Sequence, residues 1–389
     1  MIRAERFLLR KRAYPALMEV LDRCRILYNA ALEQRILAWR RQRKSLSFYD
    51  QCKDLTELRA GDDSWSSLTA ETVRLTVLHR LDTAFRAFFR RCKSGDKPGF
   101  PRFRGRGRFD TLVFGTTGWS LKGNRLALRG IGTFSVVGKR VREGTIKGLR
   151  LKRIGERWEV QVLVDIGPAP AVRASSNGVG IDVGIRTFAT MSDGTRIEHP
   201  RFLRHSLDEL KEAQRCLSSK RRGSNRRARA KVSLARLHRR VVNRRHDFLH
   251  QATRKLVDTY DGFAVEKLRI AEMAQQTPES VGGKQGRGLH RGIMDSAWSA
   301  FSFMLRYKAE CAGTAVVEVD PKGTSQRCSG CGSVVRKTLR DRTHECPACG
   351  LVLDRDENAA RNIHDLGWRS ADNPVDGTVQ SRDSCGESR

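Results

Sequence analysis

The spacing of apolar positions changes several times along the chain, and each change marks a new element. Between residues 16 and 40, Leu17, Leu21, Cys24, Tyr28, Ala31 and Leu32 recur at helical spacing. Val73, Val77, Leu81, Ala84, Phe85 and Phe88 do the same between 69 and 91. The polar stretch between them, around Gly61-Asp62-Asp63, reads as loop. From Thr111 to Ile166 the period shortens to two, in the runs TLVF, RLALRG, TFSVV, LRLKRI and WEVQVLV. Turn pairs such as Gly123-Asn124 and Gly155-Glu156 separate these runs, which predicts a small antiparallel β unit closed as a barrel. Gly167 to Ala171 reads as a linker.

Asn177 opens a different pattern. Val179 to Asp182 is a buried-type strand, Thr187 to Met191 a second, and Asp193-Gly194 turns into a short third. A meander with an Asp on its first strand is the opening of an RNase H-like nuclease fold. Residues 205 to 257 are helical, with Leu234, Leu237, Val241, Phe248, Ala252 and Leu256 on one stripe. Gly223-Ser224-Asn225 breaks that stretch into a hairpin. A short strand ends at Glu266, a Gly-rich basic lid covers 277 to 292, and a helix runs from Ser296 to Cys311. Ala315 to Val319 is a strand, and a last helix runs from Asp356 to about Leu366. The polar tail from Ser370 to Arg389 reads as disordered.

Composition narrows the class. The 389 residues include 75 Lys and Arg against 43 Asp and Glu, a formal net charge of +32. With 39% hydrophobic residues, 16 Phe and 6 Trp, the chain can build a core, which excludes a wholly disordered basic tail. A charge of that size calls for a polyanionic partner, nucleic acid before membrane. No run approaches the ~18 apolar residues of a membrane span. The opening MIRAERFLLRKRAYP has no apolar core after its charges, so a secretory signal is not expected and a cytoplasmic, nucleoid-associated protein is.

The positive charge is concentrated in two places. No acidic residue falls between Arg215 and Arg245, whereas a solvated helix usually mixes signs. Arg221, Arg222, Arg226, Arg227, Arg240 and Arg244 are the candidate nucleic-acid contacts there. The second place follows Arg90-Arg91, where Phe100 and Phe103 alternate with Arg102 and Arg104. Aromatics among arginines suit base stacking with phosphate contact. They equally suit a basic loop with two Phe tucked into the core.

Two groups of residues carry candidate chemistry. Cys328-x-x-Cys331 and Cys346-x-x-Cys349 lie on tight knuckles, CSGCG and CPACG, with 14 residues between the pairs. Four thiolates with no open position predict a structural Zn2+ site. His344 could compete as a ligand, but the thiols suffice. The other six cysteines are scattered and read as reduced thiols. The second group is Asp182, Glu266 and Asp356. Two end strands and one opens a helix, so rigid backbone would hold all three. Converging carboxylates are what a pair of Mg2+ or Mn2+ ions about 4 Å apart needs for phosphodiester hydrolysis. Asp354 is the near rival to Asp356.

The set GIDVGIRTFAT, AVEKL, TSQRCSGCG, CPACG and DRDENAARNI resembles the TnpB (OrfB) nucleases of insertion sequences, relatives of type V CRISPR effectors. Tyr28-Asn29-Ala30 and GFPRF fit the same family, so the resemblance spans about residues 5 to 366. It implies a multidomain α/β RNA-guided DNA endonuclease. A β-barrel wedge domain would comprise 1–14 and 111–170, interrupted by a helical recognition module at 15–110. A RuvC-like nuclease domain would comprise 173–325 and 352–369. A zinc ribbon at 326–351 would serve target nucleic acid. Asp182, Glu266 and Asp356 would hold the catalytic Mg2+ or Mn2+, and the four cysteines one Zn2+. Guide RNA from the transposon end and target double-stranded DNA would be the partners, with no membrane. Three other readings stay open: an RNA-guided DNA-binding regulator of transposition that does not cut, a compact type V CRISPR effector, and a transposase acting on DNA ends without RNA.

Overall fold

The computed structural model describes residues 1–11, 14–61, 65, 68–138, 140–173, 177–268, 273, 291–338 and 341–369. The lid expected at 277–292 is described only at its last two residues, and the tail expected to be disordered lies outside the described residues. The chain forms two compact units, one from Met1 to Pro168 and one from Ala169 onward. Among the described residues, no helix is long and apolar enough to cross a membrane.

The first unit is a seven-stranded antiparallel sheet packed on helices. Its strands are β1 (Ile2–Leu9), β2 (Thr111–Phe114), β3 (Trp119–Lys122), β4 (Arg125–Leu128), β5 (Gly132–Gly138), β6 (Thr145–Ile154) and β7 (Arg157–Asp165). They lie in the order β2-β6-β7-β1-β5-β4-β3. This order has two ends, β2 and β3, and closure into a barrel is not part of the pairing among the described residues. The first strand therefore sits mid-sheet between strands more than a hundred residues later, with Ile2 opposite Asp165 and Leu9 opposite Val136. Strict alternation puts Trp158, Val160, Val162 and Val164 of β7 inside.

Between β1 and β2 the chain makes α1 (Pro15–Gln42), α2 (Phe48–Gly61), α3 (Ala70–Val73) and α4 (His79–Ser94), with a π-helical stretch at Arg74–Leu78. Leu17, Leu21, Cys24 and Tyr28 of α1 join the β7 side chains in one core. Helix α2 occupies a segment whose polarity reads as loop. Its start is a reciprocal cap. The Ser47 N–H donates to the Asp50 carboxylate at 2.8 Å, and the Asp50 N–H donates to the Ser47 hydroxyl at 3.2 Å.

The second unit is built on a five-stranded sheet. Its strands are β8 (Gly178–Val183), β9 (Thr187–Met191), β10 (Arg196–Glu198), β11 (Gly262–Glu266) and β12 (Ala315–Val319), in the order β10-β9-β8-β11-β12. The first three are antiparallel, while β11 runs parallel to both β8 and β12. Between β10 and β11 lie α5 (Phe202–His205), α6 (Leu207–Ser218) and α7 (Asn225–Thr259). Helix α8 (Trp298–Ala312) precedes β12, and α9 (Arg355–Arg369) ends the described chain. A two-stranded hairpin, β13 (Thr343–Glu345) with β14 (Val352–Asp354), stands just before α9.

Strand periodicity sorts the two faces of this sheet. Val179, Ile181, Phe263 and Val265 point to one side and pack on Leu249 and Leu256 of α7 and Phe301 and Leu305 of α8. Gly178, Gly180 and Ala264 point to the other, which α9 covers. A Cβ built on Gly180 would land on the Ala360 carbonyl, and one on Gly178 would strike the Trp368 ring. The glycines thus let a helix lie almost on the strand backbone.

Gly180→Ala is expected to destabilise the second unit by about 1–3 kcal/mol, because the obstacle is backbone that cannot rotate away. Thermal melts of the whole protein check this. An unshifted transition would contradict the close seat of α9.

Candidate active site and metal centre

The four cysteines meet at one point. The Cys328 and Cys349 sulfurs are 3.7 Å apart, those of Cys331 and Cys346 3.5 Å, and all four lie within 4.8 Å of one another. Tetrahedral zinc with Zn–S bonds of about 2.3 Å requires sulfurs about 3.8 Å apart. The two knuckles are built alike. In the first, the Cys328 N–H bonds Ser333 O at 2.8 Å and the Gly332 N–H bonds Cys328 O at 2.9 Å. In the second, the Cys346 N–H bonds Leu351 O and the Gly350 N–H bonds Cys346 O, both at 2.9 Å. Gly332 and Gly350 take φ of 80° and 71°, the left-handed backbone that closes each turn. The Ser333 hydroxyl, with its backbone, pulls the Cys331 thiol down to about 6, toward the ligating thiolate. His344 is not in the set. It is fully buried, and its Nδ1 meets Lys337 Nζ.

The carboxylates are assembled by the sheet and α9. The parallel ladder pairs Ile181 with Val265, so Asp182 and Glu266 are the next residues along, side by side at the C-terminal ends of their strands. Asp182 shares the face of Gly178 and Gly180. On α9, Asp356, Ala360, His364 and Trp368 follow at steps of four and form one stripe. Trp368 lies on Gly178, and Ala360 and His364 lie on Gly180. Two strand residues advance about 6.6 Å and four helix residues about 6 Å, so the next step brings Asp356 toward Asp182.

The electrostatics agree with this alignment. Burial raises the Asp182 carboxyl well above its ordinary value, and the Glu266 and Asp356 charges push it the same way against Arg355. Glu266 is also raised by burial, opposed by the Thr324 hydroxyl that donates to it at 2.7 Å. A carboxylate pressed in this way by two others favours a divalent cation beside it. Among the described residues the thiols alone gather closely enough to enclose one ion as they stand. The carboxylates share a place without closing on a common centre. Asp354 is engaged otherwise. It accepts from the Asp356 N–H at 2.9 Å as the cap of α9, and it pairs with Arg196 at 3.3 Å.

The thiol and carboxylate sites are tied through two buried asparagines of α9. Asn358 accepts from the Ser329 N–H at 2.9 Å and donates to Arg327 O at 2.8 Å. Asn362 donates to Thr324 O at 2.8 Å and to Arg327 O at 2.7 Å. The segment that begins the first cysteine knuckle is thus held by the helix that carries Asp356, and its Thr324 holds Glu266.

Other arginines surround Asp356. Arg186, Arg196, Arg201 and Arg342 line a cleft of about 440 Å³ with Asp354 and Asp356. Arg186, Arg201 and Arg342 also line an adjoining cavity of about 570 Å³ with Arg204 and Arg291. Sequence reading missed this group, because its members come from separate segments with no local run of charge.

The expected nucleic-acid contacts divide. Arg90, Arg91, Arg102, Arg221, Arg222, Arg226 and Arg244 are exposed. Arg240 is exposed but pairs with Glu209 at 3.3 Å. Arg227 instead caps α6, donating to Leu217 O at 2.7 Å and Lys220 O at 2.9 Å. Arg104 also turns inward. Its N–H donates to Asn29 Oδ1 at 2.7 Å, and its guanidinium lies 5.6 Å from the Tyr28 ring centre.

Together the fold and site define a multidomain α/β protein with four thiols placed to hold a metal ion beside a partly buried group of carboxylates. The family model OrfB_IS605, described as "Probable transposase", matches residues 161–277, and the "Cas12f1-like, TNB domain" model matches 298–363. A Streptomyces pristinaespiralis protein named "Putative RNA-guided DNA endonuclease" is 32% identical over 87% of this chain and 82% of its own length. An Escherichia coli protein, "Putative RNA-guided DNA endonuclease InsQ", is 28% identical over 87% of this chain and 85% of its own. Among solved structures, a Cas12f1 complex with guide RNA and target DNA aligns with TM-score 0.57 at 15% identity, over 90% of this chain and 82% of that one, a likeness of fold. The chain belongs to the TnpB (OrfB) family of transposon-encoded proteins.

Two outcomes are expected. Metal analysis of the pure protein should find about one zinc per chain, and Cys328→Ser or Cys346→Ser should lose it together with metal-coupled stability. The second follows from Asp182. In the folded protein this group keeps a proton that the unfolded chain releases near pH 3.9. Above that pH the unfolded state binds fewer protons, so stability without divalent cation falls as pH rises toward the raised folded value. Asp182→Asn should therefore exceed wild type in stability near neutral pH without magnesium. Mg2+ should raise the melting temperature of wild type more than that of the variant. Equal responses would refute a cation-binding role for Asp182.

Proposed function

We propose that this protein is an RNA-guided, metal-dependent DNA endonuclease of an insertion sequence. The observation that carries the reading is the meeting of Asp182, Glu266 and Asp356, from three distant segments, beside an arginine-lined cleft. Family membership and the names of its relatives support guide RNA and target double-stranded DNA as its partners.

The sheet order β10-β9-β8-β11-β12, with α9 across one face, supports an RNase H-like (RuvC) domain with the zinc ribbon inserted before that helix. The first unit is then the wedge domain interrupted by the helical recognition module. Sequence would be read by pairing between guide RNA and one DNA strand, with the protein supplying basic surface to backbone and shape.

The carboxylates fit Mg2+ or Mn2+, hard ions that prefer oxygen ligands. Bound there, the cations would stabilise charge on the phosphoryl oxygens and lower the pKa of an attacking water. Arg186, Arg201 and Arg342 hold and partly neutralise a backbone phosphate in the cleft. The partial burial of Asp182 and Glu266 reduces competing solvent. The water gives up a proton to solvent as its oxygen joins phosphorus, one ester P–O bond breaks, and the departing oxygen takes up a proton. Cys328, Cys331, Cys346 and Cys349 would hold Zn2+ with no open position, so that ion would steady the segment carrying Arg342 and stay outside the exchange.

Purified protein with its co-purified RNA and Mg2+ is expected to cut guide-matched DNA. Asp182→Ala should lower the rate by at least about 10³-fold while RNA binding stays intact. Arg201→Ala should weaken DNA retention and flatten its salt dependence. Wild type that binds but never cuts would replace this reading with the regulator. Cutting that survives removal of RNA would replace it with a DNA-end transposase.

A further inference from the structure

The first unit carries a pocket that the nuclease chemistry does not use. It has a volume of about 960 Å³ and lies between α1, the start of α2, α4 and the loop that follows α4. Trp39, Tyr49, Phe85, Phe88, Phe89 and Phe100 line it. Most of these rings are open to solvent: Tyr49 is 75% exposed, Phe89 55%, Trp39 52% and Phe100 47%. Contiguous exposed aromatics on a soluble surface mark a site for a partner.

The rings are held in place rather than loose. Phe100 meets the edges of Phe85 at 5.6 Å and Phe88 at 5.3 Å, and Phe88 packs on Phe89 at 5.2 Å. The loop bearing Phe100 is pinned by buried Pro101 and by Asn29, which accepts from the Arg104 N–H and donates to Arg104 O.

Charge selects the kind of partner. Arg35, Arg40, Lys44 and Arg86 line the pocket against a single carboxylate, Asp82. Asp82 already faces two of them, Arg86 at 2.7 Å and Arg35 at 3.6 Å. An apolar helix or a second copy of this basic chain would leave Arg40 and Lys44 unanswered. A strand with flat bases and a phosphate backbone satisfies rings and cations together. RNA is the source of such bases before any target is opened. A folded RNA presents unstacked bases in loops and bulges, whereas duplex DNA presents none.

Resting on the reading above that RNA is a partner, we infer that this pocket receives unpaired bases of the bound RNA. They stack on Tyr49, Phe89 and Phe100 while Arg40, Lys44 and Arg86 contact the flanking phosphates. The pocket would thereby discriminate a looped RNA from a continuous duplex.

The test measures equilibrium binding of the full-length protein by fluorescence anisotropy. The probes are a single-stranded 12-nucleotide oligouridylate, a blunt RNA duplex of equal length and a 12-nucleotide oligothymidylate. Tyr49→Ala and Phe89→Ala are expected to weaken oligouridylate binding about tenfold each and leave the duplex unchanged, with Tyr49→Phe and Phe89→Tyr retaining wild-type affinity. Matched melting temperatures establish that the variants fold. Equal losses on single strand and duplex, no loss at all, or a loss confined to oligothymidylate would each overturn the inference. So would sedimentation in which Tyr49→Ala or Phe89→Ala splits a wild-type dimer with RNA binding untouched. Cleavage of guide-matched DNA by wild type is scored separately. If it is absent while oligouridylate discrimination persists, the endonuclease reading fails and the pocket stands. If it is present without discrimination, only the pocket falls.

Discussion

The constraint on which the second unit depends is the approach of α9 to the backbone of β8. A helix can lie that close only where the strand presents no side chains, and Gly178 and Gly180 leave the space that Trp368, His364 and Ala360 fill. The same alternation that puts glycines on this face puts Asp182 there, one step beyond. The same four-residue step that puts Trp368 and Ala360 on the strand puts Asp356 at the head of the helix. The packing contact and the carboxylate cluster are therefore one structural fact. The opposite face, filled by Phe263, Ile181, Phe301 and Leu305, supplies the apolar burial against which the polar cluster is held.

The thiol centre extends this arrangement. Asn358 and Asn362 lie on α9 within two turns of Asp356, and both are buried with their amides satisfied by the chain leading into the first knuckle. The hydroxyl that restrains Glu266 comes from the same segment, at Thr324. A metal that ordered the four thiols would order that segment, and with it the Thr324 and Arg327 contacts to Glu266 and α9. Four thiols suit a soft ion held with no open position, whereas carboxylates suit a hard one.

The first unit solves a different problem. Its N-terminal strand pairs with β7 and β5, so the sheet cannot be completed until the chain past residue 157 has been made. The helices inserted between share the core of the sheet through Leu17, Cys24 and Val77. They leave an aromatic and basic surface outside it, where Phe100 and Tyr49 remain exposed. The reading of the Arg/Phe loop that tucks both Phe rings into the core does not hold, because both stay about half exposed. Phe100 packs edge-on against Phe85 and Phe88 yet is half exposed, Phe103 is 56% exposed, and Arg104 is turned inward.

Local physics was enough for much of this. Period-two runs placed the strands, period-3.6 stripes placed α1, α4 and α7, and the spacing of two knuckles placed the four-thiol cluster, because each signal lies within a few residues of chain. The Ser47-to-Asp50 cap that starts α2 is a local signal that the polarity of the segment masked. Asp182, Glu266 and Asp356 could be nominated from strand and helix ends. Nothing local could say that Asp354 would be drawn into a cap and an ion pair with Arg196. Nor could local sequence show that Arg186, Arg196, Arg201 and Arg342 would share a cleft, or that Arg227 would leave the basic face to cap a neighbouring helix. Those outcomes depend on which distant segments a sheet register and a helix crossing bring together. The sequence by itself determined the elements and the chemical character of the site, and only the tertiary contacts of α9 and the two sheets decided which charges face it.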